Sequence, residues 1–255
     1  MVYTVRKVRA LAKASASISV RRVTKSDDST WSSLSRENNE HALTVERIVA
    51  AGISLADREG LDGLSVRRIA ADLQSSPMAL YHYVPSKRDL LNLMLDAVNA
   101  EFKAPREPVA SWRDVLTHFA WESRRCLMNH PWVGVLRTAD PEYGPESIRI
   151  LEWLLTSLLE SGLDRKIAAR TLGILYVFVN GFVAAELANS GRPAHFSKPV
   201  LSTGKFPNVA RFAAEHTEEP DDQGFKRALT WILDGIAADI ESQPPKKPKR
   251  LNTRK

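Results

Sequence analysis

Residues 44–103 read TVERIVAAGISLADREGLDGLSVRRIAADLQSSPMALYHYVPSKRDLLNLMLDAVNAEFK. Three short helical patterns lie close together here, and a short turn joins the second to the third. Thr44 caps a stripe of Val45, Ile48, Val49, Ile53 and Ala56, which predicts a helix from Val45 to about Glu59, stopped by Gly60. Ser65 caps a second helix, with Val66, Ile69, Ala70 and Leu73 facing inward, and Gln74 and Ser75 make the turn. Ser76 followed by Pro77 is an N-cap with proline at the first helical position, so a third helix starts there, and Pro85 ends it. Ser86 caps a fourth helix, supported by Asp89, with Leu90, Leu91, Met94 and Val98 on its core face. The third helix carries Pro77, Met78, Ala79, Tyr81, His82 and Tyr83, with Lys87 just beyond it. A helix-turn-helix offers such a small reading surface to a DNA major groove.

Outward from this stretch the chain reads as an all-α protein. Its 255 residues are 44% hydrophobic, with only 12 Gly and 14 Pro, few strand-like alternations and many Leu/Ala/Arg/Glu runs. Pro105 and Pro108 mark a connector, and helices are predicted over 112–129, 145–161, 164–189, 208–218 and 223–241. A mobile loop is expected between Gly191 and Asn208. Four regions follow: a basic, unstructured arm over 1–43, a helix-turn-helix domain with its connecting helix over 44–103, a helical domain over 104–241, and a basic, disordered tail over 242–255.

The net charge of +6 belongs to the ends. Residues 1–43 carry eight Lys/Arg against four Asp/Glu and residues 242–255 carry six Lys/Arg and no acid, which leaves 44–241 at −4. Basic ends suit a polyanion such as DNA, although solvated tails have the same composition. The arm either touches the minor groove or is a dispensable extension. The single cysteine, Cys126, has no internal disulfide partner and fits a reducing, cytoplasmic compartment. No uninterrupted run of 18 apolar residues exists, so no membrane partner is expected, and Ala10–Val20 is too broken by Lys13 and serines for a signal-peptide core.

The segments GLDGLSVRRIAADL at 60–73 and PMALYHYVPSKRDLL at 77–91 resemble the DNA-binding domain of the TetR family of bacterial transcriptional regulators. The likeness spans about sixty residues. More loosely, MNHPW, GPESIRILEWLL and FVNGFVAAELA resemble that family's regulatory domain. The resemblance implies an N-terminal helix-turn-helix followed by a helical-bundle domain for ligand binding and dimerisation. The turn departs from the family pattern, with Gln74-Ser75 in place of Gly and an apolar residue. Gln74 must therefore tolerate the backbone angle Gly takes, at about 1 kcal/mol if φ is positive.

The resemblance also implies that Ser65 and Arg67 lie near the phosphate backbone or a base edge, with Arg68 pointing elsewhere. Pro77, Met78 and Ala79 face base edges, Ser76 belongs to the DNA-binding set, Tyr81 donates to a phosphate, one of His82 and Tyr83 meets the backbone, and Lys87 binds a phosphate. The blander alternatives are a surface arginine at 67 and tyrosines packed on the first helix. For an effector cavity the aromatic supply of the second half offers His118, Phe119, Trp121, Met128, Trp132, Trp153, Tyr176 and Asn180, against ordinary core packing. His118, His130 and Glu186 have no compact metal-ligand spacing, and His130 before Pro131 suits a carbonyl cap; no metal or other cofactor is expected. Stripes of Leu172, Leu175, Val179 and Val183, and of Leu229, Ile232, Leu233 and Ile236, predict a four-helix homodimer interface, or else burial inside one subunit.

The function expected is a ligand-responsive regulator, a dimer that places two third helices on a palindromic double-stranded operator and is released by a small hydrophobic effector, with the helix over Lys87–Lys103 as messenger. An activator or a protein-regulated factor of the same fold is the alternative. An enzyme is disfavoured by the lack of GxSxG, GxGxxG, P-loop and HExxH motifs, and a helical scaffold leaves the Pro77–Tyr83 surface unexplained.

Overall fold

The computed structural model of the chain describes residues 42–106, 109–137, 142–188, 197–215 and 221–242. The expected arm and tail, but for residues 42–43 and 242, lie outside the described residues, as does 191–196 of the expected loop. Within them every regular element is a helix: α1 (Val45–Gly63), α2 (Val66–Asp72), α3 (Pro77–Tyr83), α4 (Lys87–Asn99), α5 (Trp112–Asn129), α6 (Trp132–Arg137), α7 (Pro145–Glu160), α8 (Arg165–Ala188), α9 (Lys198–Leu201), α10 (Pro207–Glu215) and α11 (Asp222–Glu241).

Local chemistry sets the helix starts. Thr44, Ser65, Ser76, Ser86, Ser111 and Asp221 each accept a backbone N–H of the first turn, at α1, α2, α3, α4, α5 and α11. Gly60 interrupts α1 at φ 71° and ψ −179°, after which the chain turns helical again to Gly63. α6 and α9 escaped the sequence reading, and α4 ends at Asn99, four residues before the expected Lys103. α6 is a six-residue stub directly after Pro131, too short for a periodic signal.

Two packing units share one continuous core. α1 packs on α2 and α4, and α2 on α3, around Ile48, Leu55, Ile69, Leu80, Leu90 and Met94, all buried. Each such side chain contributes about 1.5–3 kcal/mol of hydrophobic burial. α8 packs most extensively on α5, with α7 and α11 completing the bundle. α4 touches α1 on one side and α6 and α7 on the other, so it belongs to both units.

The expected dimer stripes require a correction. Leu175, Val179 and Val183 on α8, and Leu229, Leu233 and Ile236 on α11, are buried within the single chain, Ile232 packs on the core, and Leu172 stands in a cavity wall. A stripe at helical spacing marks the face that is covered, and here α5 and the neighbouring bundle helices cover it. The outward apolar residues of the two helices are different ones: Ile174, Val177 and Leu187 on α8 and Trp231 on α11. By length and composition α8 alone among the described residues is apolar enough to cross a membrane, which qualifies the expectation drawn from uninterrupted runs. Its inner stripe nonetheless packs as a core helix.

Candidate functional site

The first candidate surface is built by three hydroxyl caps and one tight turn. Ser65 Oγ accepts from Arg68 N at 3.3 Å, Ser76 Oγ from Ala79 N at 3.2 Å, and Ser86 Oγ from Asp89 N at 3.1 Å. Between α2 and α3 the Gln74 N–H donates to Ala71 O at 3.0 Å and the Ser75 N–H to Ala70 O at 2.8 Å. That pair of bonds is a Schellman closure, which places Gln74 at the left-handed position, and its φ is 52°. The expected departure from glycine thus costs backbone strain while the turn geometry is kept.

Arg68 folds back onto the Glu59 carboxylate and the Gly63 carbonyl, and its hydrogen bond holds the Glu59 carboxyl below the usual carboxylate range. Arg67 is exposed and forms no ion pair among the described residues. On α3 Met78 is 70% exposed, Tyr81 45% and Tyr83 46%, with His82 and Lys87 also at the surface and Pro77 and Ala79 half-buried. Leu80 and Val84 alone turn inward. The tyrosines are therefore not spent on packing against α1. Arginine, phenol, imidazole and ammonium donors around a small apolar patch can bond phosphates and touch base edges.

The second candidate is a half-open cavity of about 350 Å³ lined by α4, α5, α6, α7 and α8. Its wall comprises Val98, Asn99, Phe102, Phe119, Glu122, Ser123, Arg125, Cys126, Arg137, Tyr143, Ser147, Ile148, Ile150, Leu151, Leu154, Leu172 and Tyr176. Apolar side chains with a few convergent polar groups are the ordinary make-up of a small-molecule site. Asn99 is the polar centre: its Nδ2 donates to Ser147 Oγ at 2.8 Å and its Oδ1 accepts from Arg137 Nη2 at 3.0 Å. Arg125 is engaged by Glu122, with Nη2–Oε2 at 2.8 Å, and by the Glu101 carbonyl at 3.0 Å. Burial would push the Glu122 carboxyl up, but hydrogen bonds from Arg125 and from the Lys103 N–H overcome it and hold the group low. Burial pushes the Cys126 thiol and the Tyr176 phenol up, so both stay neutral at pH 7.

Of the eight side chains expected in the cavity, only Phe119 and Tyr176 line it. His118 Nε2 meets the Lys103 carbonyl at 2.6 Å. Trp153 lies tilted against Phe102, with ring centroids 5.3 Å apart, and is not part of the wall. Trp121 packs on Phe225 at 4.9 Å beneath the Arg124 guanidinium, which also pairs with Glu186 at 2.6 Å. Met128 is at the surface, and Trp132 is buried with its Nε1 donating to Asp57 Oδ1 at 2.6 Å. Asn180 donates to the Tyr176 carbonyl at 2.8 Å, away from the cavity wall. The bulkiest aromatics serve the core because their area is best buried where no ligand is needed. Sequence reasoning missed Asn99, Ser123, Arg125 and Arg137. No local pattern marks them, since the cavity depends on how five helices meet. Among the described residues no cluster of His, Cys, Asp and Glu is grouped to hold a metal.

Polar bonds join the two sites. Asp96 on α4 accepts the Glu146 and Ser147 N–H groups at 3.0 and 3.1 Å, capping α7, whose own N-cap, Gly144, supplies no side-chain bond. A Cβ on Gly144 would fall inside contact distance of the Asp96 carboxylate, so only glycine permits this approach. On the other side, Asp57 of α1 receives Trp132 and stands 2.8 Å from His130 Nδ1. His130 therefore grips the reading unit through a carboxylate, where a carbonyl cap had been expected.

The description "Bacterial regulatory proteins, tetR family" matches residues 41–94, and "Tetracyclin repressor-like, C-terminal domain" matches residues 104–240. The chain is 33% identical over 209 residues to the HTH-type transcriptional repressor DrrR1 of Streptomyces coeruleorubidus, covering 76% of this chain and 77% of that protein. It is 32% identical over 201 residues to an HTH-type transcriptional regulator of Saccharopolyspora erythraea, covering 77% and 85%. Among solved structures it is similar to ActR of Streptomyces coelicolor in complex with actinorhodin, with a TM-score of 0.63, 26% identity, and coverage of 78% of this chain and 98% of that one.

Proposed function

The chain belongs to the TetR family of bacterial transcriptional regulators, and on that premise we propose that it is a cytoplasmic, homodimeric repressor that leaves a palindromic operator when a small molecule fills the cavity. The observation that carries this reading is the shared helix: α4 starts beside the exposed α3 and ends, at Val98 and Asn99, in the cavity wall. Residues 44–103 act as the reading head, and residues 104–241 bind the effector and the second copy. DrrR1 is a repressor and ActR binds actinorhodin, which supports the same division of labour here.

In the free dimer two α3 helices enter successive major grooves, with half-sites about 34–36 Å apart or a multiple of that. Met78, Ala79 and Pro77 meet base edges, and Tyr81, Lys87, Arg67 and the Ser65 and Ser76 hydroxyls take phosphates or nearby edges, with His82 and Tyr83 beside them. An effector that packs against Asn99, Ile150 and Tyr176 moves α7 against α4. The Asp96 cap transmits that shift to the reading head. The ligand then favours the head spacing that fits the operator poorly, a coupling of about 1–3 kcal/mol. Outward α8 and α11 residues supply the second-copy contact.

Fluorescence anisotropy of the purified chain on its own upstream DNA tests the reading. A specific complex that weakens steeply with salt is expected; no specific complex at moderate salt rejects it.

A further inference from the structure

We propose that the cavity selects a ligand with a flat apolar body and one anionic oxygen group, a carboxylate or an ionised phenol, seated on Arg137. This rests on the effector reading above and names the chemical class that the site takes.

The argument is one of charge. Two guanidinium groups and one carboxylate line the cavity. Arg125 and Glu122 close on each other at 2.8 and 3.3 Å, and the Lys103 N–H also holds the carboxylate at 3.2 Å. That pair is satisfied and asks nothing of a ligand. Arg137 differs. Its one hydrogen bond is to the neutral Asn99 amide, at 3.0 Å, and it joins no ion pair among the described residues. Asn99 cannot relieve it further, because its amide oxygen carries no full negative charge and its Nδ2 is itself a donor, given to Ser147.

Arg137 is half-buried in a wall that is otherwise mostly apolar. A partly desolvated cation with unused donors is costly unless an anion or water meets it. It is the last residue of α6, where a cation suits the helix dipole, but a six-residue helix offers little of that. The other polar groups add no charge. Cys126 and Tyr176 are held neutral by burial, and Arg137's positive field reaches both. The cavity wall thus carries one positive charge in excess, which an anionic ligand would neutralise, with Tyr176 as a neutral hydroxyl and Phe102 and Phe119 as faces for a flat ring.

The test uses two dyes that differ by one anionic sulfonate group, 8-anilino-1-naphthalenesulfonate and its uncharged parent N-phenyl-1-naphthylamine, titrated by fluorescence against the full chain. The wild type is expected to bind the anion at least tenfold more tightly. Arg137→Gln should bring the two within about twofold, and Arg137→Lys should keep most of the preference. Cys126→Asp places a carboxylate within Arg137's field and should erase the preference with the arginine still in place, which decides the matter if Arg137→Gln fails to fold. Equal affinities in the wild type, a preference that survives both variants, or no binding of either dye overturns the proposal. Anisotropy on operator DNA separates the two claims. A protein that binds and leaves DNA with neutral ligands keeps the regulator reading and loses this one; an Arg137-dependent anion site on a chain that ignores DNA does the reverse.

Discussion

Gln74 sits at φ 52°, a left-handed angle that costs a β-carbon residue about 1 kcal/mol, in a turn closed by two backbone bonds to Ala70 and Ala71. Gln74→Gly should therefore raise unfolding stability by up to about 1 kcal/mol, read as a higher urea midpoint at unchanged slope. The neighbouring residues that face solvent carry the opposite expectation. Tyr81→Phe removes one hydroxyl from a side chain already 45% exposed, so the melting point should hold while operator affinity falls by about tenfold, the loss of one hydrogen bond to a charged phosphate. Lys87→Ala should weaken all DNA sequences alike and lower the salt slope by about one. A Tyr81→Phe protein that binds operator as before would remove that phenol from the contact set.

At the scale of elements, what was legible in the sequence and what was not divides by range. Thr44, Ser65, Ser76, Ser86 and Ser111 announce helix starts because an N-cap needs only the next three residues. Pro77 and Pro85 bracket α3 for equally local reasons. The exposed reading face followed, since Leu80 and Val84 already filled the inward positions. Partners across the chain were not legible. Val179 and Val183 announce a buried stripe without saying that α5 covers it, and Trp132 gives no hint that Asp57, far away in sequence, receives its N–H. The Asp96 cap on α7 is of the same kind. Asp96→Ala strips the partner from the Glu146 and Ser147 N–H groups at a helix start that has no cap of its own, a cost of about 1 kcal/mol. The expected result is a melting point about 2–4 °C lower, with faster amide exchange at residues 146 and 147. Unchanged exchange there would mean that α4 does not hold α7.

For the whole molecule, one reading head is too small to explain a specific operator, and the chain's outer surface shows where a second could be joined. Val177 on α8 is 68% exposed and Trp231 on α11 is 67% exposed, on two helices that pack against each other. The same helices bury Leu175, Val179, Leu229 and Leu233 on their inner sides, so their outer apolar residues are surplus to the fold of one subunit. Arg170–Asp239 at 3.2 Å and Arg113–Asp234 at 2.8 Å tie α11 to α8 and α5. Such exposed pairs contribute little stability but fix the register of the helices that would present this surface. In the proposed dimer, placing Glu at both Val177 and Trp231 puts like charges at the centre of a self-complementary contact, where an isologous interface doubles every change. The inner core is untouched, so each subunit should melt cooperatively. Sedimentation should shift from a dimer to a monomer mass, and affinity for a two-half-site operator should fall by at least about a hundredfold, while a single half-site is bound as weakly as before. A double variant that still sediments as a dimer would move the subunit contact away from the outer faces of α8 and α11.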